Sequence, residues 1–175
     1  MIKDLLTILA ITFATQTSYS QEADSRGFIV AIGDTAPNVK FNFIDGTKVS
    51  LKDYRGKVVM LQFTASWCGV CRKEMPFIEN EIWQVHKDKD LIVIGIDRDE
   101  PLKKVKKFVK QMKTTYPMSL DPDAEIFAKF ADKKSGVTRN VIIDRNGKII
   151  FLTRLFNREE FDKMKEVIAE LVLNH

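Results

Sequence analysis

The chain has 175 residues, 45% hydrophobic, 30% charged and 10% aromatic, with twelve Phe. That is enough apolar material for one sizeable core, so a single globular domain that needs no disulfide staples is expected. The net charge of +4 is a weak bias; with no glycine-rich phosphate cradle and no exposed aromatics among the lysines, the chain gives no support to nucleic-acid, nucleotide or flavin binding.

From the N-terminus, Lys3, the apolar stretch Leu5 to Ala14, and Ser18-Tyr19-Ser20 before Gln21-Glu22 have the layout of a secretory signal. The expectation is cleavage after Ser20, a connector over residues 21–31 and one domain over residues 32–175, exported to the periplasm and monomeric. An uncleaved leader serving as an anchor is the weaker reading, because about ten apolar residues fall short of the ~20 of a membrane span.

Val39-Lys40-Phe41-Asn42-Phe43 alternates, and Asp45-Gly46 turns the chain into Thr47 to Ser50, which predicts an N-terminal β-hairpin. A strand follows over Val58 to Thr64, a helix over Val70 to Val85, a strand over Leu91 to Asp97 and a helix over Leu102 to Met112. That last helix sets six lysines around an apolar stripe of Leu102, Val105, Phe108, Val109 and Met112, as a solvated face does. Uniformly apolar strands alternating with helices predict a central sheet whose first pair is parallel. The second half predicts a short strand near Pro117 to Leu120, a helix from Asp123 to Phe130, strands over Val141 to Asp144 and Ile149 to Thr153 around Asn146-Gly147, and a terminal helix from Glu159 to Leu173.

The segment Trp67-Cys68-Gly69-Val70-Cys71 sits where the first apolar strand meets the next helix, and it holds both cysteines of the chain. Export suggests a structural bridge, but so short a loop removes little disorder from the unfolded chain, so a pair cycling between dithiol and disulfide is the better reading. At a helix start, unsatisfied amides and the positive end of the helix dipole favour a Cys68 thiolate. Arg72 and Lys73 add positive charge, and Trp67 covers one side. Cys71, a turn further in, stays buried and protonated. Cys68 is then the residue that attacks a substrate disulfide, and Cys71 the one that resolves the mixed disulfide.

Here the chain resembles the thioredoxin-like superfamily and, within it, the TlpA-like exported thiol-disulfide oxidoreductases. The resemblance runs from Ile32 to the C-terminus. It rests on Gly33-Asp34-Thr35-Ala36-Pro37, Leu51 to Lys57, Phe63 to Pro76 with its Glu74-Met75-Pro76, and Val141 to Lys148. It implies an α/β thioredoxin-like fold, a central mixed β-sheet flanked by helices with an N-terminal β-hairpin extension. It also implies protein disulfides or dithiols as substrates, a membrane partner as electron donor, and no cofactor. By the resemblance Glu74 is the acid close to the cysteines that influences their proton transfers. Pro76, lacking an amide donor, is expected to bend the active-site helix.

Two departures stand out. Gln62 occupies the place of the buried carboxylate of thioredoxins proper, and an amide is no base. Relatives also place a cis-proline opposite the cysteines, whereas here Thr138 falls in that position between Val137 and Arg139. These three residues are expected to form a substrate-binding loop whose backbone pairs with an extended segment.

Two other classes compete. A thiol peroxidase is suggested by the proline-free loop, Arg139 and Thr64, but Thr64 lies four residues before Cys68 rather than three. A metal-binding or interaction module would need more ligands than two thiols, with His86 expected at a solvated helix end and His175 at the terminus. No metal site is expected, and copper capture by the two thiolates is the remote variant.

Overall fold

The computed structural model describes residues 26–173. The expected signal peptide and its cleavage point lie outside the described residues, as does His175. Among the described residues no helix is long and apolar enough to cross a membrane.

Seven strands form one mixed sheet in the order β2-β1-β5-β4-β3-β6-β7. The predicted hairpin is β1 (Lys40–Phe43) and β2 (Lys48–Ser50), and it extends the sheet because β1 pairs antiparallel with β5 (Met118–Asp121). At the centre, β3 (Val58–Thr64) runs parallel to β4 (Leu91–Arg98), which runs parallel to β5. All seven residues of β3 are buried, which is why that segment is apolar on both faces. β6 (Arg139–Ile143) returns antiparallel to β3, and β7 (Ile149–Arg154) closes the edge. The β6–β7 turn places Gly147 at φ 80°, a left-handed conformation that glycine adopts without strain.

Helices cover one face. Met75, Ile78 and Ile82 from the first helical stretch, Val105 and Phe108 from α3 (Leu102–Met112), and Phe161, Met164 and Ile168 from α4 (Arg158–Leu173) pack on Val58, Met60, Val93 and Ile142. The other face packs Val59, Leu61, Phe63, Ile94 and Val141 against Phe127, Phe130 and the N-terminal Phe28 and Val30. Residues 26–31, expected as connector, are held down: Ile29 N donates to the Phe130 carbonyl at 3.0 Å and Arg26 pairs with Glu160 at 2.7 Å.

Three expectations are corrected. The helix expected over Val70 to Val85 is α1 (Gly69–Phe77), then a π-helical segment Ile78–Trp83, then α2 (Gln84–His86). Pro76 lies at the changeover, where its missing amide interrupts the i to i−4 ladder. The helix expected from Asp123 to Phe130 is a 3₁₀ turn over Phe127–Lys129. Ala124 there has φ 53°, and the Asp121 carboxylate accepts from the amides of Ile126 and Phe127 at 2.9 and 2.8 Å, taking donors a helix would use. His86 is buried rather than solvated, and burial, with Lys89 nearby, lowers its pKa.

Candidate active site

The strand-to-helix junction puts Cys68 at the N-cap of α1, in extended conformation, with its sulfur accepting from the Cys71 amide at 3.1 Å. One of the orphan donors of the helix start is thus turned on Cys68 Sγ. The two cysteines form a disulfide, with Cα atoms 5.3 Å apart. Their settings differ: Cys68 keeps 8% of its surface and Cys71 none. Beside them Trp67 is 59% exposed.

Val137 and Thr138 are buried just before β6, against the pair. The Thr138 hydroxyl lies 3.2 Å from Cys68 Sγ and 3.3 Å from Cys71 Sγ. Arg139 begins β6 and is wholly buried. Its Nη2 donates to the Arg26 carbonyl at 2.9 Å and to Ser135 Oγ at 2.7 Å, and its guanidinium lies 4.5 Å from the Phe28 ring. It therefore secures the N-terminal segment.

Gln62, Glu74 and Asn140 meet beneath the helix. Gln62 is opposite Asn140 in register, and its Oε1 accepts from the Tyr116 hydroxyl at 2.6 Å. Gly95, in register with Gln62 on β4, matters here: a Cβ on it would come within 2.6 Å of Met118 and 3.2 Å of Tyr116. Asn140 Nδ2 donates to Glu74 Oε1 at 2.6 Å and to Thr153 Oγ1 at 2.8 Å. Burial pushes the Glu74 carboxyl from 4.5 to about 7, against the lowering effect of Asn140 and then Gln62, with the charge of Glu160 raising it slightly. Glu74 Oε2 and Gln62 Nε2 have no hydrogen-bond partner, so the Gln62 amide acts as a nearby dipole rather than a formed bond. Cys71 and Glu74 are three residues apart on one helix, hence neighbours on its surface.

Sequence reasoning passed over a second acidic group. Glu100 is buried, and its carboxylate accepts from the Ser66 amide at 2.6 Å and the Ser66 hydroxyl at 2.7 Å, while Lys104 pairs with it at 2.6 Å. Burial works to raise its pKa, but Lys104 and Ser66 outweigh it and the net direction is down. Asp97, at the end of β4, shows the reverse: burial, then the charge of Glu100, push it from 3.8 to about 8. Arg72, expected to lend charge to Cys68, instead donates from Nε to the Ser66 carbonyl at 2.8 Å and lies over the Phe108 ring. Ser66 is thus held on three polar groups, immediately before Trp67 and Cys68. The only signal in the sequence was a buried-strand Asp followed by Glu100 and Lys104 at helical spacing.

Thr64 is buried with its hydroxyl on Met75 Sδ at 3.7 Å. The peroxidase reading therefore loses two of its supports, since Thr64 and Arg139 both have other partners. The described residues contain no group of three His, Cys, Asp or Glu arranged to hold a metal.

Comparison with known proteins matches residues 31–168 to the Redoxin family. The thiol-disulfide oxidoreductase ResA of Bacillus thuringiensis subsp. konkukian is 38% identical over 119 residues, covering 68% of this chain and 67% of that protein. ResA of Geobacillus kaustophilus is 28% identical over 165 residues, covering 94% and 91%. A solution structure from Bacteroides thetaiotaomicron, provisionally described as a protein disulfide isomerase, is 58% identical with TM-score 0.82 over 85% of this chain and 94% of its own.

Proposed function

This chain belongs to the Redoxin family as a TlpA-like thiol-disulfide oxidoreductase, and from that premise we propose that it is exported and reduces protein disulfides, with Cys68 as nucleophile and Cys71 as resolving thiol. One observation carries the assignment of roles: Cys68 caps the helix and reaches the surface, whereas Cys71 is sealed one turn inside.

The Cys68 thiolate attacks one sulfur of the substrate disulfide, that S–S bond breaks, and the other substrate sulfur departs and takes a proton. Cys71 then gives its proton to the Glu74 carboxylate and attacks Cys68 Sγ. The mixed disulfide breaks, the second substrate sulfur leaves, and the Cys68–Cys71 disulfide remains. Two electrons have passed to the substrate. A carboxyl raised to about 7 suits that exchange near neutral pH. A thiol donor in the membrane then restores the dithiol.

The substrate segment lies along Val137 and Thr138, with Trp67 as its exposed apolar neighbour. Arg139 supports that loop from beneath, and Pro76 and Gln62 shape and underlie the helix. The reductant direction is supported by Gly69-Val70, which offers neither charge nor imidazole to stabilise the thiolate further. Cleavage after Ser20 would release the domain into the periplasm as a monomer.

In an insulin-reduction assay, Cys68→Ser is expected to abolish turnover and Cys71→Ser to accumulate mixed disulfides. Wild-type activity in both variants would reject the assignment. Titration against glutathione tests the direction, and a potential near that of strong oxidants would reverse it.

A further inference from the structure

A single hydroxyl faces both sulfurs. Thr138 Oγ1 is within 3.2 Å of Cys68 Sγ and 3.3 Å of Cys71 Sγ, and the residue is 2% exposed, so water does not compete for either contact. The backbone holds it there. The Thr138 carbonyl accepts from the Leu155 amide at 3.2 Å and from Arg154 Nη1 at 3.3 Å, and the next residue enters β6 opposite Phe63. A threonine hydroxyl has one proton to donate and lone pairs to accept, so it can donate to only one of the two sulfurs at a time.

We propose that Thr138 is a catalytic residue of this chain, whose hydroxyl donates to the Cys68 thiolate while accepting from the Cys71 thiol. The proposal rests on the assignment of Cys68 as nucleophile and explains how the reduced pair keeps its unequal charge. When the disulfide opens, Cys68 takes up negative charge and the contact becomes a charge-assisted hydrogen bond, the stronger kind. In the resting dithiol the Cys71 proton points at the same oxygen and completes a chain of two bonds that each polarise the other; it passes to Glu74 only when Cys71 attacks the mixed disulfide. Hydrogen bonding to the charged form favours that form. A proline in this position has no proton to give, so the departure from the family pattern replaces a ring with a donor.

The charged groups on the elements packed about the pair are Glu74 and Arg72 on α1, Glu100 between β4 and α3 where it accepts from Ser66, Arg139 at the start of β6 and Arg154 on β7. All persist when only the hydroxyl is changed.

The test uses reduced full-length domain, alkylated with iodoacetamide across pH 5 to 10 with the modified residue mapped, and equilibrated with glutathione. Thr138→Val keeps the shape and loses the hydroxyl, Thr138→Ala loses it without any steric demand, and Thr138→Ser keeps it. In the valine and alanine variants the Cys68 alkylation midpoint is expected to rise by about one pH unit, with roughly tenfold slower reaction below it. Their glutathione equilibrium is expected to move about tenfold toward the disulfide, about 30 mV more negative. The serine variant should follow wild type on both readings. Valine and alanine variants that match wild type overturn the proposal, as does a serine variant that shifts as far as they do. Wild-type alkylation mapped to Cys71 overturns the underlying assignment of the nucleophile, and the proposal with it.

Discussion

Glu74 and Glu100 are both buried acids beside the active-site helix, yet Glu74 holds a proton up to about pH 7 while Glu100 is held ionised. Burial raises both. What separates them is the neighbourhood. Glu74 sits among neutral amides and hydroxyls, Asn140, Gln62 and Tyr116, which can stabilise a charge only as dipoles. Glu100 has Lys104 and the paired donors of Ser66, while Asp97 beside it is pushed to about 8, by burial first and then by the charge of Glu100. One region can therefore exchange a proton near neutrality, and the other spends its charge on fixing a loop.

The sharpest way to break that comparison is Glu100→Ala. It would strand the amide and hydroxyl of Ser66 and leave Lys104 without its partner, at a cost of roughly 3 kcal/mol in urea denaturation. A loss below about 1 kcal/mol would mean the loop is held by Arg72 instead. Asp97→Asn comes next, because it removes for good a charge that burial and then Glu100 oppose. A carboxyl whose folded pKa lies above its unfolded value binds protons better when folded. Asp97 thus favours the fold fully below about 3.8, and that contribution is lost as pH rises through about 8. Relative to wild type, Asp97→Asn is expected to gain a few kcal/mol, up to about 4, between pH 5 and pH 9, read from urea midpoints.

Glu74→Gln probes the other region. It keeps the shape and the contact with Asn140 but cannot accept the Cys71 proton, so resolution of a preformed mixed disulfide should slow about tenfold or more in single turnover. The same sign applies to its stability contribution, present below about 4.5 and lost through about 7, so the variant should flatten that part of the profile. An unchanged resolution rate would make Glu74 a packing residue.

Much of this arrangement was legible in the sequence, for reasons that differ by element. β3 and α3 begin and end where the apolar run and the lysine-flanked stripe placed them, because each is bounded by local signals and packs through its own side chains. The cysteine pair follows from its place where a strand meets a helix, and Glu74 from the resemblance of the motif around it to the family's. Asp121 acting across to Ile126 and Phe127 was not legible, since a carboxylate that replaces a helix's own bonds shows no periodicity. Nor was Arg139, whose partners Arg26 and Phe28 lie more than a hundred residues upstream. Asp97 closes the strand predicted from Leu91 and Glu100 has no role in the sequence reading; only the fold shows that both carboxyls are buried, and why.

The smallest effect belongs to Lys104→Ala and tests whether the split between Asp97 and Glu100 needs the cation. Lys104 is 54% exposed, so solvent screens its attraction and the loss should stay under ~1 kcal/mol at pH 7. Its influence on the titrations is larger than on stability, because its charge lowers both carboxyls. Without it Glu100 should ionise at higher pH. A group held below its unfolded pKa lends stability above 4.5 and loses it as pH falls through the folded value, so removing Lys104 should weaken the fold near neutral pH and leave it unchanged in acid. Glu74, which has no such cation, should titrate in this variant as in wild type. A matching shift at Glu74, followed by carbon-detected NMR of its carboxyl, would show that the two regions are one electrostatic unit.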